Sequence, residues 1–133
     1  MALERGNKDE DNIFIVRNGP YLEKFVPGPG DTSLKKTDEI LVGYLGNMNK
    51  QDGVDLILET AQEIVEKQNI TNIKFILIGG GSSQSDLVQQ AKSMGLEDHV
   101  SFTGRIPDQQ MLDTLNACDI CVQPDPLNPL NDR

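Results

Sequence analysis

The sequence predicts an α/β fold in which helices cover both faces of a doubly wound parallel sheet. Between residues 39 and 123, short segments that are apolar throughout alternate with amphipathic helical patterns, and glycines follow the first two segments. Strands that are apolar at every position are typical of parallel sheets buried on both faces. The connections between these strands should be right-handed crossovers.

The first strand of the sheet is predicted at Ile40–Leu45 and runs into Gly46. The next helix has its apolar residues at helical spacing, and Asp52 is placed to cap its first turn, with Asp55 following as in a capping box. Its buried stripe should consist of Val54, Ile57, Leu58, Ala61, Ile64 and Val65.

A second helix follows the second strand. It should begin after Ser82 or Ser83 and end at Gly95, whose left-handed backbone would let Leu96 pack back against the helix. Its inward residues should be Leu87, Val88, Ala91 and Met94, and the remaining predicted elements are strands at Ile73–Ile78, Val100–Thr103 and Ile120–Gln123 and a helix at Asp108–Ala117.

The residues before the sheet are predicted to be less regular. Residues 1–12 are charged and unpatterned, so we expect a disordered start or residues added by an expression vector. A short strand is expected at Ile13–Arg17, ended by the turn signal Asn18-Gly19-Pro20. Residues 26–36 include two prolines and two glycines and should form an exposed connector.

The composition excludes several classes of partner. The chain has 133 residues, a net charge of -9 and a hydrophobic share of 37%. Because an acidic surface repels phosphate backbones, nucleic acid and anionic membranes are poor candidate partners. No apolar run is long enough to cross a membrane, and residues 1–11 lack the apolar core of a signal peptide, which predicts a cytoplasmic protein.

Glycine and small polar residues are concentrated in the loops after the predicted strands. In such sheets ligands bind beyond the carboxyl ends of the strands, where N–H groups at helix starts can hold an anion. Three prolines should fix an extended course after the last strand, unless this stretch is an exit to a linker. The four loops are Gly46–Gly53, Gly79–Ser83, Gly104–Asp108 and Pro124–Asp132, and the last would aim Asp125, Asn128, Asn131 and Asp132 across the mouth of the sheet.

The run Gly79–Ser83 has two interpretations that the pattern alone leaves open. It could bind the phosphates of a dinucleotide, or its glycines could merely allow a tight turn from strand to helix. The NAD-binding fingerprint is not met, because Gln84 stands at its third glycine position and no acidic residue ends the next strand.

Two other motifs have the spacing of a reactive site without its surroundings. Cys118 and Cys121 have redox or zinc spacing, but a helix is predicted to end there, and zinc would need two more ligands. We interpret them as two buried small hydrophobic residues. His99, the single histidine, is interpreted as a surface or loop-packing residue rather than a catalytic base.

A set of short motifs runs through the chain in a fixed order: Arg17-Asn18-Gly19-Pro20 with Phe25, Tyr44-Leu45-Gly46, Gly53-Val54-Asp55, Ile78-Gly79-Gly80-Gly81, Gly95-Leu96-Glu97-Asp98, Phe102-Thr103-Gly104-Arg105-Ile106-Pro107 and Asp119-Ile120-Cys121-Val122-Gln123-Pro124. This order resembles the C-terminal domain of retaining glycosyltransferases with the GT-B fold (glycosyltransferase family 4, group 1). The resemblance covers Asp11 to Arg133. It implies that residues 13–133 are a truncated Rossmann-like domain that binds a UDP- or GDP-hexose donor. An N-terminal acceptor domain would be missing, and the fragment alone would be inactive.

The resemblance places the donor site in the four loops. Gly46 and Asn47 would border the donor diphosphate, and Arg105 would contact the base together with the backbone of Ile106. Such enzymes usually need no metal, so neither a metal ion nor a cofactor is expected, and cations and helix dipoles would stabilise the leaving diphosphate. The donor-binding candidates are Gly46, Asn47, Lys50, Gly53, Gly80, Gly81, Arg105, Ile106, Asp125, Asn131 and Asp132.

Two positions depart from the family pattern. The family commonly has an arginine where Asn47 stands and a lysine where Asp52 stands, and both neutralise the leaving diphosphate. Because one positioned hydrogen-bond donor contributes about 3 kcal/mol to transition-state stabilisation, the loss of these two cations would weaken it. Lys50 in the same loop could substitute for them, or could be an ordinary exposed lysine.

The resemblance implies a parent enzyme that moves a hexose onto a glycan or lipid-linked acceptor with retained configuration. It would act in surface glycan or glycolipid synthesis, in the cytoplasm or at the inner face of the membrane. Two other functions stay open on the sequence: a nucleotide-sugar 2-epimerase-like isomerase and a non-catalytic binding or assembly module. An unfinished sheet could also promote self-association.

Overall fold

The structure is a computed structural model that describes residues 25–126 continuously, together with residues 21–23 and five isolated positions before them (Gly6, Asp9, Asp11, Phe14 and Gly19). Strands and helices alternate from residue 40 onward. They are β1 Ile40–Asn47, α1 Val54–Gln62, β2 Ile73–Gly80, α2 Gln84–Ser93, β3 Val100–Gly104, α3 Asp108–Ala117 and β4 Ile120–Cys121. Two 3-10 turns, Thr32–Leu34 and Lys50–Asp52, and a π-helical turn after α1, Glu63–Lys67, complete the described elements.

The four strands form one sheet in the order β3-β2-β1-β4, and every pair is parallel. β1 and β2 are in register from Ile40 opposite Ile73 to Asn47 opposite Gly80. The chain moves outward from β1 to β3 and then returns to the other side of β1 with β4. The strand order therefore reverses between β1 and β4.

Helices pack on both faces of this sheet, so the predicted α/β doubly wound fold is confirmed. Residues Leu41–Tyr44 of β1 and Phe75–Ile78 of β2 are buried, which explains why these strands are apolar throughout. On one face, α1 and α2 cover Val42, Tyr44, Phe75 and Leu77, and on the other face α3 covers Leu41, Ile76 and Ile78.

Most predicted elements are confirmed, with differences at their ends. β1 and β2 each continue two residues beyond the predicted limit, because their ladder reaches into the glycine loops. The helix Asp108–Ala117 has its predicted bounds. β4 is shorter than predicted, and the Ile120 side chain is 51% exposed, because β4 lies at the edge of the described sheet.

The first two helices correct two predictions. Asp52 does not cap α1: it ends the preceding 3-10 turn, where its carboxylate accepts a hydrogen bond from the Asn49 N–H at 2.8 Å. α1 begins after Gly53, whose backbone is left-handed with φ 67°. Val88 was expected to face inward but is 43% exposed, because the buried stripe of α2 is narrower than predicted.

The end of α2 agrees with its prediction. Gly95 has φ 68°, and Leu96 after it is 1% exposed, as a left-handed stop with a hydrophobic contact requires. Ile64, Val65 and Met94 are partly buried and pack against the core.

The segment before β1 is described in part. The connector 26–36 is mostly exposed, as predicted, and it contacts α3 where a Cβ atom on Gly30 would lie 2.4 Å from the Ala117 nitrogen. The predicted strand Ile13–Arg17 and the turn Asn18-Gly19-Pro20 lie outside the described residues, apart from Phe14 and Gly19. In the described part of the chain, no helix has the length and apolarity needed to cross a bilayer.

Candidate functional site

The loops at the carboxyl ends of the strands meet at one edge of the sheet. The parallel register places Gly46 opposite Gly79 and Asn47 opposite Gly80. The loop after β4 reaches the same edge, because a Cβ atom on Gly53 would lie 2.3 Å from the Pro124 carbonyl oxygen. We call this edge, where the loops of β1, β2, β3 and β4 begin, the mouth of the sheet.

Two glycines of the β2 loop are needed for contact with the β1 loop. A Cβ atom on Gly79, where φ is 123°, would lie 2.0 Å from the Gly46 carbonyl oxygen. A Cβ atom on Gly81 would lie 2.4 Å from the Met48 carbonyl oxygen. The backbones of the two loops therefore touch at these two positions. This packing role of Gly79 and Gly81 fits the interpretation of the glycine run as a tight turn.

Gly80 lies between these two glycines and has different neighbours. A Cβ atom there would meet Gln84 Oε1 at 3.2 Å and Arg105 Cγ at 4.0 Å, both of them side-chain atoms. Gly80 is itself buried, so a ligand could approach its backbone only after the side chain of Gln84 or Arg105 moves aside. Arg105 is thereby brought next to Gly80, as the donor-site hypothesis requires.

The backbone amides at the start of α2 already have acceptors within the protein. The Ser82 N–H donates to Asn49 Oδ1 at 3.1 Å, and the Ser83 N–H donates to the Met48 carbonyl at 2.9 Å. The Met48 N–H in turn donates to the Gly80 carbonyl at 3.2 Å. An anion could use the Ser82 and Ser83 amides only by displacing these partners. A cleft of about 270 Å³ lies between the starts of α1 and α2, next to Lys50.

The Tyr44 side chain fixes the last residue of β1. Its side chain is 1% exposed, and its hydroxyl donates to the Asn47 carbonyl at 2.5 Å. Burial raises the pKa of Tyr44, and the nearby carboxylates of Asp52 and Asp125 raise it further. This role of Tyr44 was not predicted, since a strand pattern does not show where a buried hydroxyl finds its acceptor.

The mouth carries charges of both signs. Asp52 accepts a hydrogen bond from the Asn49 N–H, and Asp125 accepts one from Gln123 Nε2 at 3.3 Å. Lys50 and Arg105 are exposed, and no carboxylate within residues 25–126 lies at salt-bridge distance from either. In the same range, no three His, Cys, Asp or Glu residues are grouped so that they could hold a metal ion.

The remaining donor-site candidates differ in position. Asp125 is exposed on the segment after β4. The side chain of Ile106 packs into the core beneath α3, so only its backbone could contact a ligand at the mouth. Asn128, Asn131 and Asp132 lie outside the described residues.

The residues at the opposite edge of the sheet have packing roles. His99 precedes β3, is half-buried, and places Nδ1 at 2.9 Å from the Ile73 carbonyl oxygen, which confirms the packing interpretation. Asp119 precedes β4, where its carboxylate accepts from Lys35 Nζ at 2.5 Å and from the Leu41 N–H at 2.7 Å. The prediction of two buried cysteines is wrong for Cys121, which is exposed because β4 is an edge strand.

Comparisons with known proteins find glycosyltransferases among the relatives of this chain. The D-inositol 3-phosphate glycosyltransferase of Corynebacterium aurimucosum is 23% identical over an alignment of 133 positions that covers 92% of this chain and 32% of that protein. The enzyme of the same name from Mycolicibacterium smegmatis is 26% identical over an alignment of 127 positions that covers 89% of this chain and 28% of that protein. The chain thus spans about a third of the length of the curated relatives it matches.

Solved structures show the same fold. A mutant of S. aureus TarM, in complex with fondaparinux, α-GlcNAc-glycerol and UDP, has a TM-score of 0.61 and 25% identity, over 87% of this chain and 21% of that one. WaaG, a glycosyltransferase involved in lipopolysaccharide biosynthesis, has a TM-score of 0.58 and 19% identity, over 70% of this chain and 24% of that one. Residues 31–127 match the family described as glycosyl transferases group 1. The chain therefore belongs to the group 1 glycosyl transferases and has the Rossmann-like α/β fold of their GT-B structures.

Proposed function

We propose that this chain is the donor-binding part of a retaining glycosyltransferase and that a UDP- or GDP-hexose binds at the mouth of the sheet. The observation that carries the proposal is the reversal of strand order between β1 and β4. In open α/β sheets the loops diverge at such a switch point, and the crevice between them binds the ligand. Membership of the group 1 family supports the same placement.

The diphosphate would lie beside this crevice, on the β2 side of β1, against Gly46 and Asn47 and next to Gly80. Gly53, at the start of α1, would add the partial positive charge of a helix N-terminus. Lys50 and Arg105 are the described cations next to the loops, and neither forms a salt bridge within residues 25–126. Arg105 would also face the base, together with the backbone of Ile106, whose side chain is committed to the core.

The carboxylates of Asp52 and Asp125 oppose this arrangement. Two unit charges 4 Å apart interact by about 1 kcal/mol in water and about 4 kcal/mol near a protein surface, so each carboxylate weakens diphosphate binding measurably. We therefore expect weak donor binding by this chain. Transfer to a glycan or lipid-linked acceptor would need the rest of the whole protein, acting in the cytoplasm or at the inner membrane face.

An NMR titration of the 133-residue chain with UDP and with GDP tests the proposal. Amide signals of the loops Gly46–Gly53, Gly79–Ser83 and Gly104–Asp108 should shift, whereas Ile73 and His99 at the opposite edge should not. Lys50→Ala should weaken binding, and Lys92→Ala is the matched control because its 73% exposed side chain lies at the far end of α2. If neither nucleotide shifts the loop signals, or if both lysine variants behave alike, the donor site is wrongly placed.

The alternative functions fare differently. No observation favours an epimerase-like isomerase, since the single histidine, His99, lies at the edge opposite the mouth. A donor-binding module without transfer activity is the second candidate. It is favoured by Asp52, which replaces a cation of the family pattern and whose carboxylate is bound to the Asn49 N–H.

A further inference from the structure

Cys118 and Cys121 lie together on the face of the sheet that α3 covers, where α3 ends and β4 begins. Cys121 is paired with Gly43 of β1. A Cβ atom on Gly43 would lie 2.5 Å from Cys118 Sγ and 3.8 Å from Cys121 Sγ. Both sulfur atoms therefore lie close to the Cβ position of Gly43, where a glycine has no side chain that could separate them.

The two thiols have different surroundings. Cys121 is exposed, whereas Cys118 is half-buried and its Sγ donates to the Thr114 carbonyl at 3.2 Å. Burial raises the pKa of Cys118 to about 11, and the neighbouring Cys121 and Asp119 contribute to the increase against the opposing charge of Lys35. Because the thiolate is the nucleophile in thiol chemistry, Cys121 is the cysteine that reacts first.

We propose that Cys118 and Cys121 form a modification site for low-molecular-weight disulfides and close to an intramolecular disulfide. The Cys121 thiolate attacks one sulfur of glutathione disulfide, whose S–S bond breaks, and the departing glutathione takes up the proton that Cys121 released. Cys118 then attacks the Cys121 sulfur of the mixed disulfide, and its proton goes to the second departing glutathione. Two cysteine thiols are oxidised, and one glutathione disulfide is reduced to two thiols.

This site does not depend on the proposed nucleotide-sugar site, because Cys118 directly follows α3, Cys121 lies in β4, and neither is a donor-binding candidate. The bridge would tie the C-terminal end of α3 to β4. Glutathione disulfide serves as a probe for low-molecular-weight disulfides, because mass spectrometry detects the glutathione that it adds to a cysteine.

The folded chain is incubated with glutathione disulfide, quenched with acid and digested with trypsin. Cleavage after Arg105 releases residues 106–133, which contain both cysteines. In the wild type this peptide should lose two hydrogens and carry no glutathione. Cys118→Ser should retain one glutathione on Cys121, and Cys121→Ser should stay unmodified under the same conditions, because Cys118 is half-buried.

Three results would overturn the proposal: a wild-type adduct that never closes, a disulfide between two chains, or equal modification of the two serine variants. If circular dichroism shows that a variant is unfolded, the wild-type peptide still decides between the closed form and the open adduct. Ellman titration of the native chain gives an independent check, since one thiol should react quickly and the other slowly.

Discussion

A single methyl group at position 81 should disturb the mouth of the sheet while leaving the fold intact. Gly81 is not in the left-handed region, so alanine incurs no backbone strain there. Its Cβ atom would lie 2.4 Å from the Met48 carbonyl oxygen and 2.7 Å from the Met48 nitrogen. Since non-bonded carbon contacts are relaxed at about 3.5 Å, the β1 loop must move by about 1 Å relative to the β2 loop.

This displacement sets the expected size of the effects. Overpacking of this kind costs about 1–3 kcal/mol of stability. A misplacement of about 1 Å can cost roughly 100-fold where groups must be positioned. For a weakly bound nucleotide we expect Gly81→Ala to raise the Kd for UDP or GDP at least about tenfold, which corresponds to about 1.4 kcal/mol.

Gly95→Ala is the matched control. Gly95 has φ 68°, and a Cβ atom there has no neighbour within 4 Å, so alanine introduces backbone strain without a clash. The strain costs about 1–2 kcal/mol, similar to the cost at position 81, but Gly95 lies at the end of α2 that faces away from the mouth. Urea denaturation measures the stability of both variants, and an NMR or calorimetric titration measures their nucleotide affinity. The reasoning fails if Gly81→Ala binds as the wild type does, or if Gly95→Ala loses as much affinity.

Three further changes test separate parts of the structure. Asn47→Arg combined with Asp52→Lys should lower the Kd for UDP or GDP several-fold in the same titration, because it restores two cations and removes a carboxylate next to the diphosphate. Tyr44→Phe should cost about 1 kcal/mol in urea denaturation, because the Asn47 carbonyl loses its donor. The hydrogen bond from Lys35 lowers the pKa of Asp119 below 3.8 in the folded state, so its contribution to stability is present above the unfolded pKa and is lost as the pH falls through the folded one. Asp119→Asn should therefore flatten the loss of stability as the pH falls below the unfolded pKa of about 4, in acid titrations followed by circular dichroism.

Each of these has a result that would contradict it. Unchanged nucleotide affinity in the double variant would mean that no diphosphate lies near positions 47 and 52. Wild-type stability in Tyr44→Phe would mean that the Asn47 carbonyl finds water or another donor. An acid transition in Asp119→Asn that keeps the wild-type steepness would assign the pH dependence to other carboxylates.

The parts of the fold that follow from local patterns were predictable from the sequence. β1 and β2 were located because strands buried on both faces are continuous apolar runs, and α3 was located because its buried residues recur at helical spacing. Ile120 and Cys121 were expected to be buried because an apolar run does not tell a central strand from an edge strand. The role of Asp52 was missed because it depends on the left-handed turn at Gly53, which spacing alone does not determine.

The candidate site was predictable only in outline. Parallel strands place their carboxyl ends at one edge, so the meeting of the four loops follows from the strand pattern. Whether a loop amide is free to bind a ligand does not follow from the strand pattern, because it depends on contacts between loops. The Ser82 N–H donates to the Asn49 side chain, and the Ser83 N–H donates to the Met48 carbonyl. The sequence therefore indicates where a ligand could bind but not which donors are available to it.

At the mouth of the sheet, the proposed donor would meet the carboxylate of Asp52 as well as the cations Lys50 and Arg105. Nucleotide binding needs contacts that are already present before the reaction, and glycine backbones and Arg105 could supply them. Departure of a diphosphate requires groups that act on developing charge, and the family resemblance implies cations for this at the positions of Asn47 and Asp52. Asp52 is a carboxylate and accepts a hydrogen bond from the Asn49 N–H, so under the proposed function it cannot stabilise a leaving diphosphate. Any transfer by the whole protein must then draw its positive charge from Lys50, Arg105 or a group outside the described residues.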